Sequence, residues 1–288
     1  MLRALSPSPG LRAAEGVPAI RATWRRHEVD RARLAEFLRL TGLRAGRGLP
    51  ILYPHVFGFP LLMVILTHRA FPLPIWGALQ IRNHLRQHRP IAEDAVLDFE
   101  TRVAGHRILD KGAEIDLQTR VRCREELAWE SRNTFYYRGR FGDAGPPSPL
   151  APAPAAPGPV AARWRTASGV GWRFGRLTGD YNGIHWSRRY ARLLGFRGAF
   201  HHPQLVLGQA MARLATPGAD PVQRLDAWLK GPVYYDSNVS LHATAGQDDL
   251  TFAVVPDGEE RPAILGRWRS GAQAAPGGRQ DEDRVQKQ

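Results

Sequence analysis

A chain of 288 residues, 43% of them hydrophobic, suits one large domain or two of ordinary size and can bury a full core. Its one cysteine, Cys123, excludes an internal disulfide framework and a cysteine metal cluster, and fits a reducing cytoplasm. The net charge of +13 admits a nucleic-acid partner, but the basic residues are scattered, mostly arginine, and accompanied by no nucleic-acid motif. An anionic ligand with phosphates, or a generally basic surface, accounts for the charge as well.

Residues 1–18 carry Pro and Arg and no long apolar core of a secretory signal, and are expected to be loose. Asp30–Thr41 reads as a helix. The apolar run Leu49–Leu66 is about 18 residues, the short end for a membrane span. It also contains His55 and the prolines Pro50, Pro54 and Pro60, so a buried helix with an irregular start is expected rather than a span. Leu79–Leu85, Val96–Val103, Glu114–Val121 and Leu127–Tyr137 follow as strands, their alternation arguing half-buried antiparallel pairing. Residues 142–160 are rich in Pro and Ala and read as an extended, semi-rigid linker.

Beyond the linker the order recurs. His202 precedes an apolar helix, Leu205–Leu214. The stretches Leu225–Pro232, Val239–Ala245, Leu250–Val255 and Ala263–Trp268 follow as strands. His55 and Ile81 stand 26 residues apart, as do His202 and Trp228. Two diverged copies of one α+β unit are expected, at 1–141 and 161–270, with a disordered tail at 271–288. Tyr53, Val56, Phe57, Phe59, Leu61 and Leu62 are either ordinary core or the wall of an apolar pocket.

The chemistry concentrates at 177–185, which reads Leu-Thr-Gly-Asp-Tyr-Asn-Gly-Ile-His. Asp180, Asn182 and His185 place a carboxylate, an amide and an imidazole within six residues. A carboxylate and a histidine held close can polarise a water and shuttle its proton. Taken singly, Asp180 also fits a turn or helix-cap aspartate. A Gly-Phe segment at Gly195 and the pair His201 and His202 come next, ahead of the apolar helix.

This order resembles the MaoC-like dehydratases, also called R-specific enoyl-CoA hydratases of the hydratase 2 type. Their motif is Gly-Asp-x-Asn-Pro-x-His, then a Gly-Phe segment, then a His-Gly pair opening a buried helix. Gly179, Asp180, Asn182 and His185 match at the right spacing, and His202 matches the later histidine. The likeness is strong over about residues 165–240 and weaker in the first half, which has no such motif. It implies a double hotdog, each half a long helix wrapped by a curved antiparallel sheet.

The resemblance further implies reversible hydration of a trans-2-enoyl-CoA to the (R)-3-hydroxyacyl-CoA in a cytoplasmic enzyme. Asp180 and His185 would share the water and Asn182 would orient it or Asp180. Gln204, Gly208 and His202 become candidates for holding the thioester oxygen or positioning the substrate. Pro203 stands where the family has glycine and has no N–H to offer an oxyanion; Gly183 stands where proline is usual. Arg165, Arg173, Arg197 and Lys230 are candidates for CoA phosphates. So is the outward half of the cluster Arg82, Asn83, His84, Arg86, His88 and Arg89. The substrate would be an acyl-CoA or, alternatively, an acyl group on a carrier protein. No redox cofactor, metal or nucleic acid is implied, and a homodimer is allowed. The rival readings are a hotdog thioesterase, a non-catalytic acyl-CoA-binding subunit and a nucleic-acid binder.

Overall fold

The computed structural model describes residues 10–11, 16–44, 46, 48–155, 158–218, 220–247 and 249–271. Most of the expected loose start, and the tail beyond Gly271, lie outside these residues. In the first half, β1 (Arg21–Glu28), α1 (Arg31–Thr41) and α2 (Tyr53–Leu66) precede β2 (Leu79–Gln87), β3 (Val96–Leu109), β4 (Gly112–Cys123) and β5 (Glu126–Arg138). The second half contains β6 (Val160–Arg165), α3 (Val170–Thr178), α4 (Arg188–Leu193) and α5 (Pro203–Met211). It ends with β7 (Gln223–Leu229), β8 (Asn238–Ala245), β9 (Asp249–Pro256) and β10 (Ile264–Ser270).

The ten strands form one sheet in the order β1-β3-β4-β5-β2-β7-β10-β9-β8-β6, and every pairing is antiparallel. From either edge the order is the same: first, third, fourth and fifth strands of a half, then the second, which follows its central helix. The two halves meet at the seam between β2 and β7, where Asn83 faces Ala227 and Gln87 faces Gln223. The outermost strands, β1 and β6, are the two that the alternation did not reveal. In β1 only Ala22 and His27 are buried, and its register shifts between Trp24 and His27. An edge strand has a neighbour on one side only, so its apolar pattern is thin, and charged residues there discourage pairing with other chains.

The helix α2 is apolar on every side, as expected of a helix enclosed by its own sheet. Only Pro60, Met63 and Val64 escape full burial. Pro54 sits in its first turn, where a missing N–H costs nothing. Tyr53 and Phe57 pack edge to face at 4.5 Å, and Phe57 meets Phe99 of β3 and His27 of β1. These residues are core, and α2 packs against β1, β3, β4 and α3. No helix of the described residues is long and apolar enough to cross a membrane.

Between β5 and β6, residues 148–153 are bound to the sheet. Along β7, Leu225 and Ala227 join the helix-side core, so Asp226 and Trp228 point to the opposite face. There the Trp228 indole donates to the Leu150 carbonyl at 3.1 Å, Ala153 packs beside it, and Ser148 is 3% exposed. Val160, expected in the linker, opens β6. The same face corrects the reading of the basic cluster. Arg82 is buried and pairs with Glu114, which also accepts from Arg107. His84 bonds Asp226 at 2.8 Å, His88 bonds Glu130 at 3.0 Å, and Arg89 pairs with Glu126. Burial alone would raise the Asp226 carboxyl; the His84 bond with the Arg224 and Arg269 charges holds it far below the usual range. These cations are matched inside the molecule rather than presented to a ligand.

Candidate active site

The loop carrying the motif starts where α3 ends. Gly179 takes the left-handed conformation (φ +79) and its N–H returns to the Gly175 carbonyl at 2.8 Å, a C-cap that turns the chain sharply. The loop then folds back along α3. A Cβ on Gly171 would stand 1.8 Å from the His185 carbonyl oxygen, so only glycine lets the two backbones approach this closely. The Tyr235 hydroxyl donates to that same carbonyl at 2.5 Å. From the first half, the Pro60 ring of α2 lies against Gly179.

Three side chains converge in this loop. Asp180 Oδ2 lies 3.8 Å from His185 Nε2 and 3.8 Å from His202 Nε2. Asp180 Oδ1 accepts the backbone N–H of Asn182 at 3.1 Å. His185 Nδ1 is 3.0 Å from the Phe200 carbonyl. A carbonyl can only accept, so Nδ1 carries the proton and the neutral ring turns a bare Nε2 towards Asp180. His202 stacks on His185 with centroids 3.9 Å apart, and its Nε2–H donates to the Asp180 carbonyl at 3.2 Å.

Burial sets the protonation states. It raises the Asp180 carboxyl, against the opposing effects of His185 and the Asn182 amide. It lowers His185, with Asp180 working the other way, and lowers His202 well below the ordinary histidine range, with His185 adding to the effect. The carboxylate and the neutral imidazole are therefore drawn closer in proton affinity, as a pair that passes one proton requires.

Asp180, His185 and His202 offer ligand atoms within 4.8 Å of one another. His202 Nε2 already donates to a backbone carbonyl, and a protonated nitrogen cannot ligate. With its Nε2 so engaged, His202 supports the Asp180–His185 pair as a third ring.

No protein-family model matches the chain. It is 29% identical over 225 residues to 3-hydroxyacyl-thioester dehydratase X of Mycobacterium tuberculosis, spanning 77% of this chain and 80% of that one. A crystal structure of HtdX from the same organism superposes with a TM-score of 0.75 at 24% identity, covering 88% of this chain and all of that one. A MaoC-like dehydratase from Phytophthora capsici gives a TM-score of 0.75 at 18% identity over 92% of this chain and all of its own. The chain has the double hotdog fold that these dehydratases share.

The structure brings Asp180, His185 and His202 together and gives the residues around them other partners. The Asn182 side chain does not touch Asp180; its oxygen accepts the Ile184 N–H at 3.3 Å and caps the 3₁₀ turn Gly183–His185. Asn182 orients Asp180 through its backbone instead. The Gln204 side chain donates to Gln80 of β2 at 2.6 Å, and Gln80 donates to Asn133 at 2.7 Å, so it is held by the first half. Its backbone N–H, at the second residue of α5, is one that an α-helix cannot satisfy internally. Gly208 lies mid-helix, and a Cβ there would stand 2.6 Å from Thr41 Cγ2 of α1. It serves close helix packing, and its N–H belongs to the helix ladder. Gln80, Pro60, Phe200 and Tyr235 were not anticipated.

The phosphate candidates are dispersed. Arg173 pairs with Glu36 of α1 at 3.0 Å. Arg197 reaches Glu259 at 3.6 Å and lies over the Tyr234 ring at 4.1 Å. Arg165 is exposed on edge strand β6, and Lys230 is exposed just past β7.

The first half keeps the left-handed turn without the acid. Gly42 caps α1 in the same left-handed conformation (φ +77) as Gly179 caps α3. The next residue is Leu43, where the second half has Asp180. A cavity of about 470 Å³ opens there, lined among others by Gly42, Leu43, Ile51, Gln87 and Met211.

Proposed function

We propose that the protein catalyses reversible addition of water to a trans-2-enoyl-CoA, giving the (R)-3-hydroxyacyl-CoA. The observation that carries this reading is the 3.8 Å separation of Asp180 Oδ2 from the unprotonated Nε2 of His185. That distance is too long for a direct hydrogen bond and is readily bridged by a single oxygen atom. A water so placed gives a proton to the pair as its oxygen adds to C3, and C2 receives a proton from the pair. The reverse order removes water from the 3-hydroxyacyl thioester. No electrons are gained or lost, so the step calls for no redox cofactor. The name of the mycobacterial relative, a 3-hydroxyacyl-thioester dehydratase, supports the same reaction class.

The thioester oxygen needs a donor while it carries enolate charge. Pro203 cannot supply one. The Gln204 N–H, on the positive end of α5, takes that part in this reading. His202 serves as a positioning residue, its ring against His185 and its N–H on the Asp180 backbone. Following the loss of enoyl absorbance with short and long trans-2-enoyl-CoA tests the proposal. Water uptake with R product supports it. Release of free thiol would instead indicate a thioesterase, and binding without turnover an acyl-CoA-binding subunit.

A further inference from the structure

Between Asp143 and Asp220 the chain carries nine arginines and a single acid, Asp180, which lies within the site. In the fold several of these cations lie on α3 and α4, the helices on either side of the loop that bears it. Arg176 of α3 and Arg188 and Arg189 of α4 are exposed, with no ion pair among the described residues. Among them stand three large aromatic rings. Trp172 is 49% exposed, Tyr181 43% and Trp186 48%. Trp172 contacts both others, with centroids 5.4 and 5.3 Å apart. At the end of α4, Leu193 is 82% exposed and Leu194 44%. Single exposed apolar residues are ordinary on any surface, but three exposed rings in mutual contact, beside a helix that packs on the Gly183–His185 turn and carries exposed leucines and unmatched arginines, mark a contact face.

Tryptophan and tyrosine settle at the headgroup level of a bilayer, with the ring buried and the polar edge wet. Arginines beside them are drawn to anionic lipid phosphates, and exposed leucines reach the acyl boundary. A second copy of the chain would bring arginine against arginine on this face. An acidic protein would meet the arginines but would not by itself bury Leu193. We propose that this rim, from Trp172 to Leu194, docks on an anionic lipid surface. Trp172, Tyr181, Trp186 and Leu193 enter the headgroup layer, and Arg176, Arg188 and Arg189 lie on the phosphates. Docking brings the Asp180 loop, which carries Tyr181 and Trp186, to the bilayer surface, the phase in which long acyl chains concentrate.

The test is co-sedimentation of the full chain with phosphatidylcholine vesicles, with and without phosphatidylglycerol. Binding depends on no catalytic step, so its outcome is separate from that of the reaction proposed above. Sedimentation is expected with the anionic vesicles alone. The double change Arg188→Gln and Arg189→Gln should weaken it about thirtyfold, at roughly a factor of five per arginine near such a surface. Leu193→Ser should remove the fraction that persists in high salt. Unchanged thermal unfolding of these variants checks that they are folded. A protein that stays in the supernatant with anionic vesicles, or variants that sediment like the wild type, would overturn the proposal. So would binding of an acidic carrier protein through the same residues without any vesicle binding.

Discussion

Asp180→Asn isolates the proton transfer from the architecture. The amide keeps an oxygen for the Asn182 N–H, now 3.1 Å from Asp180 Oδ1, so the turn is retained. It puts an NH₂ group where Oδ2 lies, 3.8 Å from the bare Nε2 of His185. The base is lost, and the new donor competes for the remaining lone pair. A positioned acid–base group contributes about 100- to 10,000-fold, so kcat should fall by that range, about 3–5 kcal/mol at 1.36 kcal/mol per tenfold. KM should hardly move, because the substitution alters no group assigned to substrate binding. The assay is the decline of enoyl absorbance on a trans-2-enoyl-CoA. Stability should move the other way. Burial raises the Asp180 carboxyl, so its ionised form opposes folding, a penalty absent below the unfolded pKa and present once pH rises through the folded one. The amide should therefore unfold at higher temperature at neutral pH. A variant within tenfold of wild-type kcat would refute the assignment of Asp180.

Activity should fall on the acid side, because both an ionised Asp180 and a neutral His185 are needed. With the first raised and the second lowered, the limb should be a single steep fall below the ordinary histidine value, read from kcat/KM against pH. His55 has its pKa lowered to about 4 by burial. Its stabilising contribution is complete above the unfolded value near 6.5 and is lost as pH falls towards 4, about 3 kcal/mol in all. His55→Leu should flatten urea midpoints over that window, and an unchanged slope would count against the reading. Gly208→Ala drives a methyl into Thr41, whose hydroxyl is tied to the Phe37 carbonyl at 2.7 Å. Overpacking of this kind costs about 1–3 kcal/mol, and a melting temperature within a degree of wild type would show that α1 and α5 yield more easily than their contact suggests.

The sequence made the repeat and the motif legible because each is written locally. Asp180 and His185 are five residues apart on one loop, and α2 declares itself by an apolar run that no exposed helix would carry. What was illegible depends on partners far along the chain. Gln204 looked like a free amide at the head of α5, but its partner Gln80 lies 124 residues away on β2. Asn182 looked like the group that orients Asp180, yet a short amide after a turn bonds its own backbone first. Gly208 looked like a site residue because of its place in the resemblance, whereas its small size answers to Thr41 on another helix. The arginine cluster at 82–89 looked like a ligand surface because alternation tells which residues share a face, not whether the sheet supplies acids to meet them. Glu114 and Asp226 do so from other strands.

The seam between β2 and β7 joins two halves that two separate chains could have formed. In a dimer of identical single hotdogs every substitution appears twice, once at each end of the seam. A change that discards the acid at one end would discard it at the other. Tethered through residues 142–159, the halves are free to differ. Leu43 can replace the acid after one left-handed glycine while Asp180 stays after the other. Gln80 from the half without the acid can be recruited to hold Gln204 at the head of α5. The tether thus turns a symmetric pair of pockets into one worker and one scaffold, each open to selection on its own terms.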